Sequence, residues 1–279
     1  MAAENAEKSQ IFSEVPQILT IIKTGFRWTY KVECGLSTSH FYVSGSNSII
    51  KHMSTSGVLL EEIVTKSKNV PRCFTVNKKG QLIYSDSVDR SINIVKGREI
   101  ERLVRLGGWK PNSICSTTAD EILVALKADD GDEAKVVRYS QSKMTQEIQF
   151  NSDGQPLYFD PHYIDENKNS DIVVSDFDKK EIIVVDESGR YRFSYRGNQL
   201  TKMHEEFAPR GITTDSMCQI LIADFDNNLI HIIDQDGQFL RYIENCNLHL
   251  PLDLSTNSDN VLFVVEYYSN KVKEVKYLK

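Results

Sequence analysis

One spacing recurs along this chain and limits what it can become. A proline is followed eleven residues later by the start of an apolar run, and fifteen residues later by an acidic residue that closes the run. Pro71 is followed in this way by Leu82 and Asp86, Pro161 by Ile172 and Asp176, Pro209 by Ile220 and Asp224, and Pro251 by Leu262 and Glu266. Pro111 keeps the apolar start at Ile122 but has Leu126 in place of the acid. A degenerate first copy fits with Tyr30, Phe41 and Gly45 at the three positions. The clearest copy, residues 209–243, reads as four short strands: one from Ile212, then 220–223, 229–233 and 239–243. Turns rich in Asp, Asn and Gly separate them, and short apolar runs bounded by such turns are the strand-and-turn signal.

Four strands repeated with a period of about 40–50 residues describe a propeller blade. The repeat therefore predicts an all-β, six-bladed β-propeller. Its blades fall at about 25–66, 67–107, 108–153, 154–200, 201–246 and 247–279. The last copy shows only three strands before Lys279, and a ring of sheets cannot close on a raw edge. Residues 14–24 are therefore assigned to that blade, with 17–23 as its fourth strand, and the polar residues 1–13 are read as a flexible N-terminus. Second strands such as 172–174 and 220–222 are apolar at every position, which predicts burial on both faces.

The net charge is −6, an ordinary balance that argues against a chain built to coat nucleic acid or an anionic membrane. Five cysteines are dispersed without a C-x-x-C pair, which reads as reduced thiols inside a cell and no metal framework. The first ten residues have no apolar signal core, and no apolar run approaches a membrane span of about 18 residues. A cytoplasmic protein with no membrane partner is the expectation.

The blade sequence resembles an NHL repeat, the propeller unit of tripartite-motif proteins. The fifth copy matches its pattern through Pro209, Gly211, Ile212, Ile220, Asp224, Asn227 or Asn228, Ile230, Ile232, Asp234, Gly237 and Phe239, and the fourth through Pro161, Asp176, Ile182, Val184, Asp186 and Gly189. RLGGWKP at 105–111 and the stretches 234–246 and 265–277 are similar to invertebrate members, and the resemblance covers roughly 14–279. It implies the substrate-recognition end of an E3 ubiquitin ligase. The clustered Cys and His that a RING or B-box needs at zinc-ligand spacing are missing from this sequence, as are heptads. The expectation is thus a non-catalytic module with no cofactor that binds a protein substrate or adaptor through loops on one propeller face.

Two other readings stand beside it. Some NHL propellers bind single-stranded RNA on the same face, through cations and stacking aromatics. Six-bladed propellers also include metal-dependent hydrolases and lyases with carboxylates, Asn or His on the innermost strands. Those strands offer Glu33, His162, Asp165 and Asp253 here, without a repeated ligand set. The strand-closing acids Asp86, Asp176, Asp224 and Glu266 are read as turn-forming groups, because a side-chain oxygen there caps backbone N–H groups blade after blade. Candidate partner-binding residues flank the register proline: Arg72, Trp109, Lys110, His162 beside Asp160, and Arg210. Trp109 follows two glycines and suits an anchor, since Trp and Arg dominate interface hot spots.

Overall fold

The computed structural model describes residues 12–198 and 205–279; residues 1–11, most of the stretch read as a flexible terminus, lie outside it, as do 199–204. Six four-stranded antiparallel sheets form a six-bladed propeller. The innermost strands are Thr29–Cys34, Cys73–Val76, Trp109–Ser116, Pro161–Glu166, Pro209–Thr214 and Pro251–Thr256. Each pairs with a second strand buried on both faces. Leu82–Asp86, Ile172–Asp176, Ile220–Asp224 and Leu262–Glu266 are buried at every position, because each lies in a sheet stacked between two neighbours. Outer strands such as Glu99–Arg105 are mostly exposed and charged, which discourages pairing with another chain.

The ring closes as the edge argument requires. Phe12–Lys23 pairs antiparallel with Lys271–Leu278 and completes the sixth blade. The strand begins five residues ahead of the predicted 17–23 segment. A register shift between Phe12 and Gln17 lets it run past Pro16, since a bulge accommodates a residue that cannot donate to the ladder.

The first blade departs from the predicted register. Pro161 pairs with Asp176, Pro209 with Asp224 and Pro251 with Glu266, but Thr29, not Tyr30, pairs with Gly45. The cause lies in the following turn. In other blades its first residue accepts two backbone N–H groups: Asn77 Oδ1 from Lys79 and Gln81 at 3.1 and 2.9 Å, Asn257 Oδ1 from Asp259 and Val261 at 3.0 and 2.9 Å. The first blade has Gly35 there, without an acceptor, and a turn one residue longer.

The strand-closing acids behave as read. Asp176 accepts the N–H groups of Phe159, Asp160 and Lys179 at 2.6, 3.1 and 3.1 Å. Asp86 accepts those of Val88 and Asp89 at 3.0 and 2.9 Å, and Glu266 that of His249 at 2.7 Å. Each carboxylate clamps a turn or the crossing from the preceding blade, so none is free for chemistry.

Candidate functional site

A bulge or register shift follows the register residue in most inner strands. It turns the next side chain toward the central channel. One residue per blade then forms a ring at one mouth: Tyr30, Arg72, Asn112, His162, Arg210 and Leu252. These six line a cavity of about 770 Å³, within the usual range for small-molecule sites.

An aromatic rim orders this ring. The residue after the strand-closing acid is aromatic in three successive blades: Phe177, Phe225 and Tyr267. His162 stacks on Phe177, with centroids 5.3 Å apart and planes 17° from parallel. The Arg210 guanidinium lies 3.9 Å from the Phe177 centroid and 4.9 Å from that of Phe225. His162 Nε2 sits 2.9 Å from Asp160 Oδ2. Burial alone would raise the Asp160 carboxyl, but the hydrogen bond and charge of His162, helped by Lys127 and Arg72, hold it below its ordinary value. Asp160 is itself fixed, since its N–H donates to Asp176 at 3.1 Å.

Lys31 forms the floor and also faces a second cavity, of about 440 Å³, on the far side. Its ammonium is 3.3 Å from Asp253 Oδ2 and 3.5 Å from Glu33 Oε2. Val32 N–H donates to the same Asp253 oxygen at 3.0 Å, and Thr75 Oγ1 donates to Glu33 at 3.0 Å. Burial pulls the Lys31 ammonium down, yet Asp253, Cys73 and Glu33 more than offset it and hold it well above its ordinary value. Burial raises Asp253 to about 6 against the opposing charge of Lys31.

Asp165 lines the far cavity and accepts the N–H of Thr214 at 3.0 Å. Burial, then the charge of Glu33, raise its carboxyl to about 7. The unfolded chain holds this proton with a pKa of about 3.9, so the native state binds it more tightly. The resulting stability is complete below about pH 4 and is lost as pH rises through about 7. The loss is at most about 4 kcal/mol, and less to the extent that channel water reaches the carboxylate. Urea unfolding between pH 4 and 8 should show this slope, and Asp165→Asn should flatten most of it. An Asp165→Asn variant with the wild-type slope would assign the proton elsewhere.

The donor set does not suit a metal centre. No group of three or more His, Cys, Asp or Glu among the described residues could hold a metal ion. Where Asp253 and Glu33 converge, the cation is the Lys31 ammonium.

Of the residues expected from sequence, Arg72, His162 and Arg210 come together at one mouth. Trp109 and Lys110 do not line it. Trp109 packs on a core cluster beneath Lys135, whose Nζ is 4.0 Å from the ring centroid, and Lys110 Nζ is 4.0 Å from Asp129. Sequence reasoning missed Lys31 and the aromatic rim. The rim had a signal, the aromatic immediately after the acid in SDFDKK, ADFDNN and VEYYSN.

No protein-family model matches the chain, and no curated protein does. Solved structures match it over nearly its full length. A protein assigned as a gluconolactonase aligns with TM-score 0.71 at 15% identity, covering 98% of this chain and 96% of that one. A catalytically inactive virginiamycin B lyase from Staphylococcus aureus, solved with quinupristin, aligns with TM-score 0.66 at 14% identity, covering 94% and 88%. A streptogramin B lyase aligns with TM-score 0.64 at 13% identity, covering 96% and 98%. Identity this low carries the fold. The neighbours nonetheless correct the expectation of a non-catalytic, ligase-type recognition module and of a chain that is no enzyme. These neighbours, named as lactonase and lyase, share the propeller architecture over almost the whole chain.

Proposed function

We propose that this chain is a small-molecule enzyme, a hydrolase or lyase that works by acid–base chemistry at the Arg72–His162–Arg210 mouth. The observation that carries this reading is the His162–Asp160 pair, 2.9 Å apart, facing a cavity of about 770 Å³ with an ammonium at its floor. In neutral His162, Nε2–H donates to Asp160 and Nδ1 is left as the basic nitrogen. Asp160 fixes the tautomer and steadies the imidazolium formed when Nδ1 takes a proton. The proton comes from a water attacking a carbonyl, or from carbon next to one. In either case negative charge builds on the carbonyl oxygen, and Lys31 supplies the fixed positive charge to stabilise it. The fold shared with lactonase-type and lyase propellers supports the class, as does the concave, part-apolar lining. The resemblance to tripartite-motif blades concerns the repeat, which enzymes and recognition modules have in common. The donor set gives no reason to route a step through a metal.

A panel of lactones, aryl esters and cyclic depsipeptides, followed by mass spectrometry, tests the proposal. Hydrolytic ring opening adds one water to the product, whereas elimination leaves the mass unchanged. His162→Gln should cut turnover by about 10²–10⁴-fold without moving the melting transition. Absence of turnover across all three classes, or turnover indifferent to His162→Gln, would sink the reading.

A further inference from the structure

We infer that the substrate is a small organic anion, a carboxylate or phosphate ester with a flat apolar body, and that Arg210 is its anchor. This names the substrate class for the site proposed above and rests on that reading.

The guanidinium of Arg210 is held between Phe177 and Phe225, and its Nε is buried with no hydrogen-bond partner. Among the described residues, no carboxylate forms an ion pair with Arg210 or with Arg72. Other arginines of the chain are neutralised: Arg90 by Asp129 at 2.9 Å, Arg102 by Asp89 at 3.1 Å, Arg138 by Glu121 at 3.2 Å and Arg190 by Asp186 at 2.9 Å. Of the arginines that form no such pair, Arg72 and Arg210 line the mouth cavity. A desolvated charge without a partner is costly, and a buried donor left unused asks for an acceptor that is not in the chain. An incoming anion supplies both. Lys31 lies below the ring, at the floor, and His162 is held by Asp160, so the rim position falls to the arginines.

The walls define the rest of the ligand. Tyr30, Tyr163, Phe225, Tyr267 and Leu252 surround the arginines and offer ring faces and apolar surface. A guanidinium pinned between two rings has few rotamers left to lose, which favours a planar, two-pronged acceptor. Single-stranded RNA would need an open basic track along which successive bases stack. Here Arg72 and Arg210 sit inside one concavity of a chain with net charge −6.

Isothermal titration of the whole chain with naphthoate, naphthyl phosphate, neutral naphthamide and oligouridylate tests the inference. At least one of the two naphthyl anions should bind, and naphthamide should bind at least tenfold more weakly. Arg210→Gln should lower the affinity for that anion by about tenfold or more and leave naphthamide binding unchanged. Arg72 is exposed, so Arg72→Gln leaves the fold intact, and it should cost the anion several-fold. His162→Gln should cut turnover by about 10²–10⁴-fold yet keep anion affinity, which separates failure of the chemistry from failure of the binding claim. The inference is overturned if no naphthyl compound binds, if naphthamide binds as well as the anions, if both arginine variants keep wild-type affinity, or if oligouridylate displaces the anions from the mouth.

Discussion

Deletion of residues 1–24 should lower the melting temperature by roughly 15 °C or more, the largest stability effect expected of any change at the chain ends. The segment contributes a whole strand. Phe12–Lys23 forms one edge of the sixth blade, paired from Phe12 opposite Leu278 to Lys23 opposite Lys271. Phe12 and Ile22 are both buried, in two different clusters, so the strand cements the sixth blade to both of its neighbours. Removing a buried Phe and a buried Ile costs about 5–10 kcal/mol together, before the exposed ladder of Lys271–Leu278 is counted. That is most of the about 5–15 kcal/mol that holds a typical domain together. At about 2 °C or more per kcal/mol for a domain this large, the shift follows. Calorimetry of the truncated and full chains measures it. Adding a synthetic peptide of residues 12–24 should restore part of the loss by pairing with the vacant edge. A truncated chain that melts with the full one would mean that closure does not depend on this strand.

The closure and the ring were legible because they obey repeating demands. A proline can open an inner strand but cannot sit mid-ladder, and an acid must cap the N–H groups where the chain crosses between blades. Both needs recur in most blades, so the sequence repeats them. The site follows no such demand. Its ring draws a different residue from each blade, from Tyr30 to Leu252. Only their place, one step past the register residue, is common. Arg72, His162 and Arg210 were found because that step follows a proline directly. Trp109 lies two residues ahead of Pro111, on an extension of the inner strand that carries it away from the mouth. Lys31 was missed because it stands two steps past the register residue, below the ring, in a blade with no proline to mark that register. Enzyme and recognition module differ in those few side chains, while the blade pattern that resembles tripartite-motif proteins is indifferent to them.

Lys31→Ala should destabilise the protein by about 3–5 kcal/mol near pH 8, the cost of leaving a buried carboxylate without its counter-ion. Asp253 is completely buried, and its Oδ1 has no hydrogen-bond partner. Without Lys31, the charged Asp253 keeps only the Val32 N–H, and the charge of Glu33 works against it. The effect must depend on pH. The folded Asp253 carboxyl stands at about 6 with the ammonium present, above its unfolded value of about 3.9. The native state therefore takes the proton first, and the associated stability is present below about pH 4 and lost as pH rises through the folded value. Removing the ammonium raises that folded value further and moves the loss to higher pH. At pH 5 the variant can protonate Asp253, so it should recover much of its deficit there. Urea unfolding of both proteins at pH 5 and pH 8 gives the comparison. The double variant Lys31→Met with Asp253→Asn removes both charges and should be more stable at pH 8 than Lys31→Ala alone. A deficit that is equal at the two pH values, or that the double variant retains in full, would show that Lys31 stabilises the channel by packing its methylenes and not by balancing charge.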